Sequence, residues 1–294
     1  MSVPIVFIHS GNSSYLFDTF YQLKQSNIDV PAYLIGTKES RVYNSMILHV
    51  DISDYMEEAN NLASFYKHFS TNSSDFELIC IQRWFILKDF MIKEGIEKCM
   101  YLDSDVLMYG NIKALYPLYE SYGMTICGIS GHTNFLNINT LTAFCQFIKH
   151  YYTASEGVRM LEHHYKEFIA AHGMGGISDM TFFTWFALEF PSNVCNLDTP
   201  DESSCFDTSL QNGEESFIME GKFKKILLRH NKPYCIRRSD GKAVLFHTLH
   251  FQGGDTKKRM QDYVQKKNAG FFLKKAYFYM WFIFQKVGKR MIYT

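Results

Sequence analysis

Between Cys99 and Tyr109 the chain reads CMYLDSDVLMY, an apolar run that stops at Asp103-Ser104-Asp105 and resumes with Val106 and Leu107. Two carboxylates at the end of a buried strand are costly to desolvate unless a cation or a hydrogen-bond donor meets them. Their i, i+2 spacing lets both reach one oxygen-seeking metal where the strand bends. A divalent ion held in this way is a common grip on a diphosphate. The alternative is an acidic strand end with helix-capping duty, and the apolar runs on both sides speak against it.

The elements around this segment follow from hydrophobic spacing. Residues 4–8, PIVFI, predict a strand closed by His9-Ser10-Gly11-Asn12, and Leu16, Phe17, Phe20 and Leu23 then recur at helical spacing. Residues 32–35 and 46–50 predict further strands, and 54–69 a polar-rich helix. Ser74 reads as the N-cap of a long helix over 75–93, with Glu77 completing a capping box and Gly95 ending it. A strand over 124–129 precedes a helix over 140–151 that Asn139 would cap. Strands alternating with helices predict an α/β fold with a mostly parallel sheet.

Helices are expected over 159–171 and 179–190, with a glycine turn at 173–176. Beyond Val194 short β segments take over, at 217–219, 225–228, 234–236 and 243–247. The turns EGK, HNKP and SDGK join them, and Asp240-Gly241 is a strong hairpin signal. The second half is therefore small and β-rich. No repeat or linker interrupts the chain. One domain over 1–258, followed by a basic aromatic tail over 259–294, is the simplest division.

Formal net charge is zero over 294 residues, which excludes general nucleic-acid binding. Of the thirty Lys and Arg, ten fall between Lys257 and Thr294, where Asp262 is the one acid; the rest of the chain then holds twenty bases against twenty-nine acids. The seven cysteines show no CxxC spacing, and several lie in apolar runs, which reads as a reducing compartment without a zinc site. The start MSVPIVFIHSG lacks a basic, long-apolar leader, and no run reaches the ~20 apolar residues of a spanning helix.

Two loops fall at carboxyl ends of strands, where ligands collect in open parallel sheets: His9 to Asn12 and Asp103 to Asp105. The first has small residues that would admit a flat base or ribose, though it also fits an ordinary strand-to-helix connection. A third element is His247-Thr-Leu-His250-Phe-Gln-Gly253-Gly254-Asp-Thr-Lys257. Imidazole completes a carboxylate-bound ion of the Mn²⁺ kind, glycine admits a phosphate, and lysine meets its charge. A histidine ending a strand is otherwise a structural residue. Of the two, His250 is the favoured ligand. Asp179, opening a helix after a glycine turn, is a candidate for orienting an acceptor hydroxyl, acting as base, or holding a sugar; an acid at a helix N-terminus explains it equally. His132 and Asn134 hold a similar place after the strand that ends near Ile129.

With YLDSDV, a later HFQG and a lysine, the chain resembles nucleotide-sugar glycosyltransferases of the GT-A fold. It is particularly similar to bacterial glycosyl- and galactosyltransferases related to the glycogenin-like group. Arg83, in QRWFILKDF, sits on the helix before the aspartates as in that group. The resemblance implies a Rossmann-type, mostly parallel sheet flanked by helices. It implies that Asp103, Asp105 and His250 bind Mn²⁺ or Mg²⁺, with Asp103 near the ribose. Gly253 and Lys257 would contact the diphosphate of a nucleotide-sugar donor, UDP-linked by the same resemblance. His9, Ser10, Gly11 and Ser104 would line the nucleotide site and Arg83 would brace it, while Asp179, read from its place after the glycine turn, is the candidate catalytic residue. The related pattern spaces glycine and lysine as GxxK before Pro-Trp; here GGDTK runs on into Lys258 and Arg259, so either Lys257 or Lys258 could meet the phosphate.

The tail reads LKKAYFYMWFIFQKVGKRM from Leu273 to Met291. At 100° per residue Lys274, Lys275, Lys286, Lys289 and Arg290 fall within an arc of about 160°. Leu273, Ala276, Met280, Phe284 and Val287 lie opposite. This fits a helix on an anionic membrane surface, and equally one packing its aromatics on the body. The expectation is a hexosyltransferase-type enzyme, cytoplasmic and peripheral on the inner membrane face, serving a glycan or glycolipid acceptor in cell-surface polysaccharide synthesis. Two rivals remain at this stage. One is a sugar-phosphate nucleotidyltransferase, although residues 9–14 lack the basic residue of its first loop. The other is a non-catalytic, membrane-associated carbohydrate-binding protein.

Overall fold

The structure is a computed structural model that describes residues 3–265 and 267–292, with side chains in the last helix followed as far as residue 283. The fold is mixed α/β with a mostly parallel central sheet flanked by helices, as the strand–helix alternation predicts. The chain forms two compact units. The first comprises Met1–Val50, Leu102–Leu118 and Leu197–Thr294; the second comprises Asp51–Tyr101 and Tyr119–Asn196.

In the first unit the strand Ile5–His9 runs parallel to Ala32–Gly36, in register from Ile5 opposite Ala32 to His9 opposite Gly36. The helix Leu16–Ser26 buries Leu16, Phe17, Phe20 and Leu23, the spacing that marked it in the sequence. Later in this unit, Leu227–Arg229, Lys232–Ile236 and Ala243–Phe246 form an antiparallel meander, joined in parallel by Ser204–Cys205. His230 and Asn231 have φ of 49° and 61°, the two left-handed residues of a tight hairpin turn. Of more consequence for function, the short strand Val106–Met108 pairs antiparallel with Thr248–His250, which sets His250 opposite Val106.

In the second unit the strands run Lys98–Leu102, Thr133–Asn137, Met124–Ile126, Val194–Asn196 across the sheet. Met124–Ile126 is parallel to Val194–Asn196 and antiparallel to Thr133–Asn137. The helices Ser74–Lys93, Ile138–Thr153 and Asp179–Glu189 meet at Trp84, Phe144, Phe183 and Phe186, with ring centroids 4.5 to 6.2 Å apart.

Three local expectations are corrected here. The long helix is capped by Ser73, whose Oγ accepts the Phe76 amide, one residue before the expected cap. Glu77 forms no capping box; its buried carboxylate accepts from Ser70 Oγ at 2.9 Å and from Asn72 Nδ2 at 2.7 Å. Asn137, not Asn139, caps the helix Ile138–Thr153, because its side chain is the one that reaches the Thr140 amide. A glycine is required at 176: a Cβ there would lie 2.3 Å from the Phe69 carbonyl oxygen, where residues 69–71 bridge to residues 175–177.

The tail is a helix, Ala269–Ile292. Among its described side chains Phe271 and Phe278 are the buried ones, against Phe17, Tyr21 and Tyr43 at centroid distances of 4.8 to 5.4 Å. Lys275 faces the same way, with Nζ 2.7 Å from both carboxylate oxygens of Asp18. The apolar arc read from the sequence points outward, with Leu273 73% and Met280 55% exposed. The partner surface offers aromatic rings and a buried acid, Asp18, and so selects the arc carrying two rings and a lysine. Phe284, Lys286, Val287, Lys289 and Arg290 lie outside the residues whose side chains are described. Among the described residues no helix is long and apolar enough to cross a membrane.

Candidate active site

The apolar strand Lys98–Leu102 ends and the chain turns at Asp103-Ser104-Asp105, with the Val106 amide donating to the Asp103 carbonyl at 3.1 Å. The next strand, Val106–Met108, carries the pairing with Thr248–His250, and the Phe251 amide closes the ladder on the Asp105 carbonyl at 3.0 Å. This register brings His250 to the aspartates across 145 residues of chain. One ligand atom from each of Asp103, Asp105 and His250 lies within 4.8 Å of the others.

His250 Nε2 lies 3.7 Å from Asp105 Oδ1, and Asp105 and His250 are both buried. His250 Nδ1 is 2.8 Å from the Thr208 carbonyl oxygen. A carbonyl only accepts, so Nδ1 donates, and Nε2 is the ring nitrogen turned toward the two carboxylates. Two carboxylates and an imidazole lone pair converging on one point repel one another unless a cation joins them. The set fits a divalent ion of the Mn²⁺ or Mg²⁺ kind, which takes oxygen and imidazole ligands.

Lys257 meets the same corner. Its Nζ lies 3.0 Å from Asp105 Oδ2 and 5.3 Å from the centre of the Tyr15 ring. Burial works to depress its pKa, but Asp105, Tyr15 and Asp103 outweigh burial and the net shift is upward, so the ammonium is held charged. Lys258 pairs with Asp255 at 3.1 Å in solvent and does not reach the corner. Gly253, at φ +88°, starts the short helical turn that carries Lys257, and nothing crowds its Cα.

Ser104 joins the aspartates to the first loop. Its Oγ lies 2.9 Å from His9 Nδ1 and 3.4 Å from the Tyr15 hydroxyl, and its carbonyl accepts from Thr19 Oγ1 at 2.6 Å. Burial, and then Lys257, push the His9 pKa down to about 4 against the pull of Asp103, so its ring is neutral near pH 7. His9 Nε2 is buried with no hydrogen-bond partner, a group that calls for an acceptor or donor from a ligand. Ser10 is exposed, and the Gly11 amide donates to Thr37 Oγ1 at 3.0 Å. Tyr15 and Thr19 escaped sequence reasoning. The signal available was an aromatic and a hydroxyl one helical turn apart, straight after the first loop.

The remaining candidates lie in the second unit. Arg83 Nη2 meets Asp179 Oδ2 at 2.5 Å, and the Trp84 indole donates to the same oxygen at 3.1 Å. Asp179 is 3% exposed, whereas the glycine turn before it led to the expectation of an open position. His132 and Asn134 are buried too, and Asn134 Oδ1 accepts the Thr125 amide of the neighbouring strand at 3.2 Å. His247 is a structural residue of the first unit. Its ring packs on Phe206 at 5.1 Å and its carbonyl accepts the Tyr109 and Gly110 amides.

No family model and no curated protein matches the chain. Solved structures do. The chain is similar to the apo form of mouse xyloside xylosyltransferase 1, with TM-score 0.53 and 14% identity over 71% of this chain and 88% of that one. It is also similar to the galactosyltransferase LgtC in complex with donor and acceptor sugar analogs, with TM-score 0.49 and 14% identity over 92% of this chain and all of that one. At these identities the likeness is one of fold: the chain has the GT-A-type fold of glycosyltransferases, in agreement with the resemblance read from its sequence.

Proposed function

We propose that the protein is a metal-dependent glycosyltransferase of hexosyltransferase type. It moves a sugar from a nucleotide-sugar, UDP-linked, to a glycan or glycolipid acceptor. The observation that supports this reading best is the convergence of Asp103, Asp105 and His250, with Lys257 on the outer side of Asp105. These three residues would hold Mn²⁺ or Mg²⁺. Such an ion, when bound, neutralises negative charge on the departing diphosphate.

The chain's own residues supply the rest. Lys257, charged and about one-third exposed, offers its ammonium to the diphosphate, where negative charge grows as the sugar–phosphate bond breaks. Gly253 and the short turn after it let the backbone approach the phosphate. His9, Ser10, Gly11 and Ser104 face the nucleoside, and the unpartnered Nε2 of His9 is suited to a base or ribose group. Asp179 accepts from both Arg83 and Trp84, which suits holding and orienting hydroxyl groups better than abstracting a proton. Arg83 in turn is fixed by that pair.

Residues 1–258 form the catalytic part in this reading, and the tail lies on an anionic membrane at its inner face. The outward arc of the tail helix supports that placement: Phe272, Leu273, Tyr277, Met280 and Ile283 are exposed beside Lys274. The experiment is donor hydrolysis and transfer from UDP-sugars, with and without Mn²⁺, in wild type and Asp105→Ala. The expected result is Mn²⁺-dependent turnover that falls ~100-fold or more in the variant. Equal turnover in both proteins, with or without the ion, would end the proposal.

A further inference from the structure

The strand that carries His250 is three residues long, and so short a strand does not aim an imidazole by ladder pairing alone. Residues 207–210 grip it from the other side. Asp207 Oδ2 accepts the His250 amide at 2.9 Å, and the Asp207 amide donates to Thr248 Oγ1 at 3.3 Å. The Leu210 amide donates to the His250 carbonyl at 3.1 Å. Between these contacts, the Thr208 carbonyl takes the Nδ1 proton of the ring.

This grip is itself pinned. Lys224 Nζ donates to Asp207 Oδ1 at 2.5 Å and to the Ser209 carbonyl at 3.0 Å, and the Lys224 amide donates to the Leu210 carbonyl at 2.8 Å. The lysine and aspartate side chains are 2% and 0% exposed. A sealed ion pair is weak evidence for stability, because apolar residues of similar volume often serve as well or better. Its value here is directional. Lys224 holds Asp207 Oδ1 and the His250 amide holds Oδ2, which keeps the carboxylate from rotating and the Thr208 carbonyl that follows it on the ring.

We propose that Asp207, locked by Lys224, is a positioning residue for His250: it fixes the ring with its proton on Nδ1 and its Nε2 lone pair aimed at Asp103 and Asp105. Outer partners of metal-binding histidines act in this way, and their loss commonly costs 10- to 100-fold in metal affinity. The inference rests on the metal-site reading above, and its test separates the two.

The full chain, free of donor, is titrated with Mn²⁺ and followed by the electron paramagnetic resonance of the free ion. Three proteins are compared: wild type, Asp207→Leu/Lys224→Met, and Asp207→Asn/Lys224→Gln. Near-ultraviolet circular dichroism checks that each is folded. The Leu/Met variant removes the acceptor for the His250 amide and binds Mn²⁺ about 10- to 100-fold more weakly. The Asn/Gln variant keeps a carbonyl acceptor without charge and stays within about threefold of wild type. A folded Leu/Met variant with wild-type affinity overturns the proposal.

Nitrogen NMR of the wild-type histidines supplies a readout that needs neither metal nor variant. His250 is expected with its proton on Nδ1, and a proton on Nε2 of the neutral ring overturns the positioning claim even if the Leu/Met variant does not fold. Wild type that binds no Mn²⁺ while showing the Nδ1–H ring would sink the metal reading and leave the positioning of His250 standing.

Discussion

Comparing two of the lysine–aspartate pairs in the first unit separates scaffold from site. Lys224 and Asp207 meet at 2.5 Å with both side chains sealed from water. Lys257 and Asp105 meet at 3.0 Å, but 30% of the lysine side chain is exposed. Removing one member of a sealed pair strands a charge in a medium that cannot solvate it. In the open pair water already reaches the lysine, so its removal leaves a site that solvent can enter. The same two residue types therefore form a fixed brace in one place and an exchangeable contact in the other, and burial is what distinguishes them. Only the open pair can trade a carboxylate for a diphosphate.

The comparison breaks most readily at the brace. Lys224→Met leaves the Asp207 charge buried without its lysine, and the expected loss of stability is ~3–5 kcal/mol, read by urea unfolding. A loss below about 1 kcal/mol would erase the distinction between the pairs. Lys257→Met is the matching change at the open pair. Its expected signature is a ~100-fold fall in donor turnover, with unfolding free energy within ~1 kcal/mol of wild type once solvent screening is allowed for. Lys258→Met is the control beside it: that lysine is 79% exposed on Asp255, so turnover should stay within about twofold.

A smaller effect tests whether burial without pairing leaves its own mark. His247 has its pKa pushed down to about 4 from 6.5, by burial first and then by Lys232. Its folded value lies below its unfolded value, so the unfolded chain takes up the proton first as pH falls. The histidine's contribution is whole above about pH 6.5 and is lost between there and about pH 4. The expected loss is roughly 2 kcal/mol, discounted for a ring that is not fully buried. Unfolding curves at pH 7 and pH 4.5 should differ less in His247→Gln than in wild type. An unchanged difference would assign the acid sensitivity to other groups, His9 among them.

Much of the architecture was legible because local rules agree with the global fold. The Asp103-Ser104-Asp105 turn stands out as acid between two apolar runs, and the EGK and HNKP turns fall where Gly221, His230 and Asn231 adopt positive φ. The long helix was evident from its start signals, yet the wrong serine was chosen. Ser73 and Ser74 are equivalent in sequence, and what separates them is that Glu77 is drawn away to Ser70 and Asn72. Motif resemblance brought His250 and Lys257 together with the aspartates. The physical cause, a three-residue antiparallel ladder, joins segments far apart in the chain and leaves no local trace. Asp207 and Lys224 were missed for the same reason: each reads as an ordinary polar residue until the fold sets them face to face. For the tail, helical periodicity shows which residues share a side and not which side finds a partner.

One consequence follows from the ladder between Val106–Met108 and Thr248–His250. Successive residues of a strand point to opposite faces, so a slip of one place in this ladder would turn the imidazole away from the aspartates. Point substitutions at the five ladder residues other than His250 can be absorbed one at a time. Insertion or deletion of a single residue between Phe246 and His250 cannot, because it changes parity rather than chemistry. Natural length variation in a chain of this kind is therefore expected in the hairpin turns and at the tail, and not in the three links before His250.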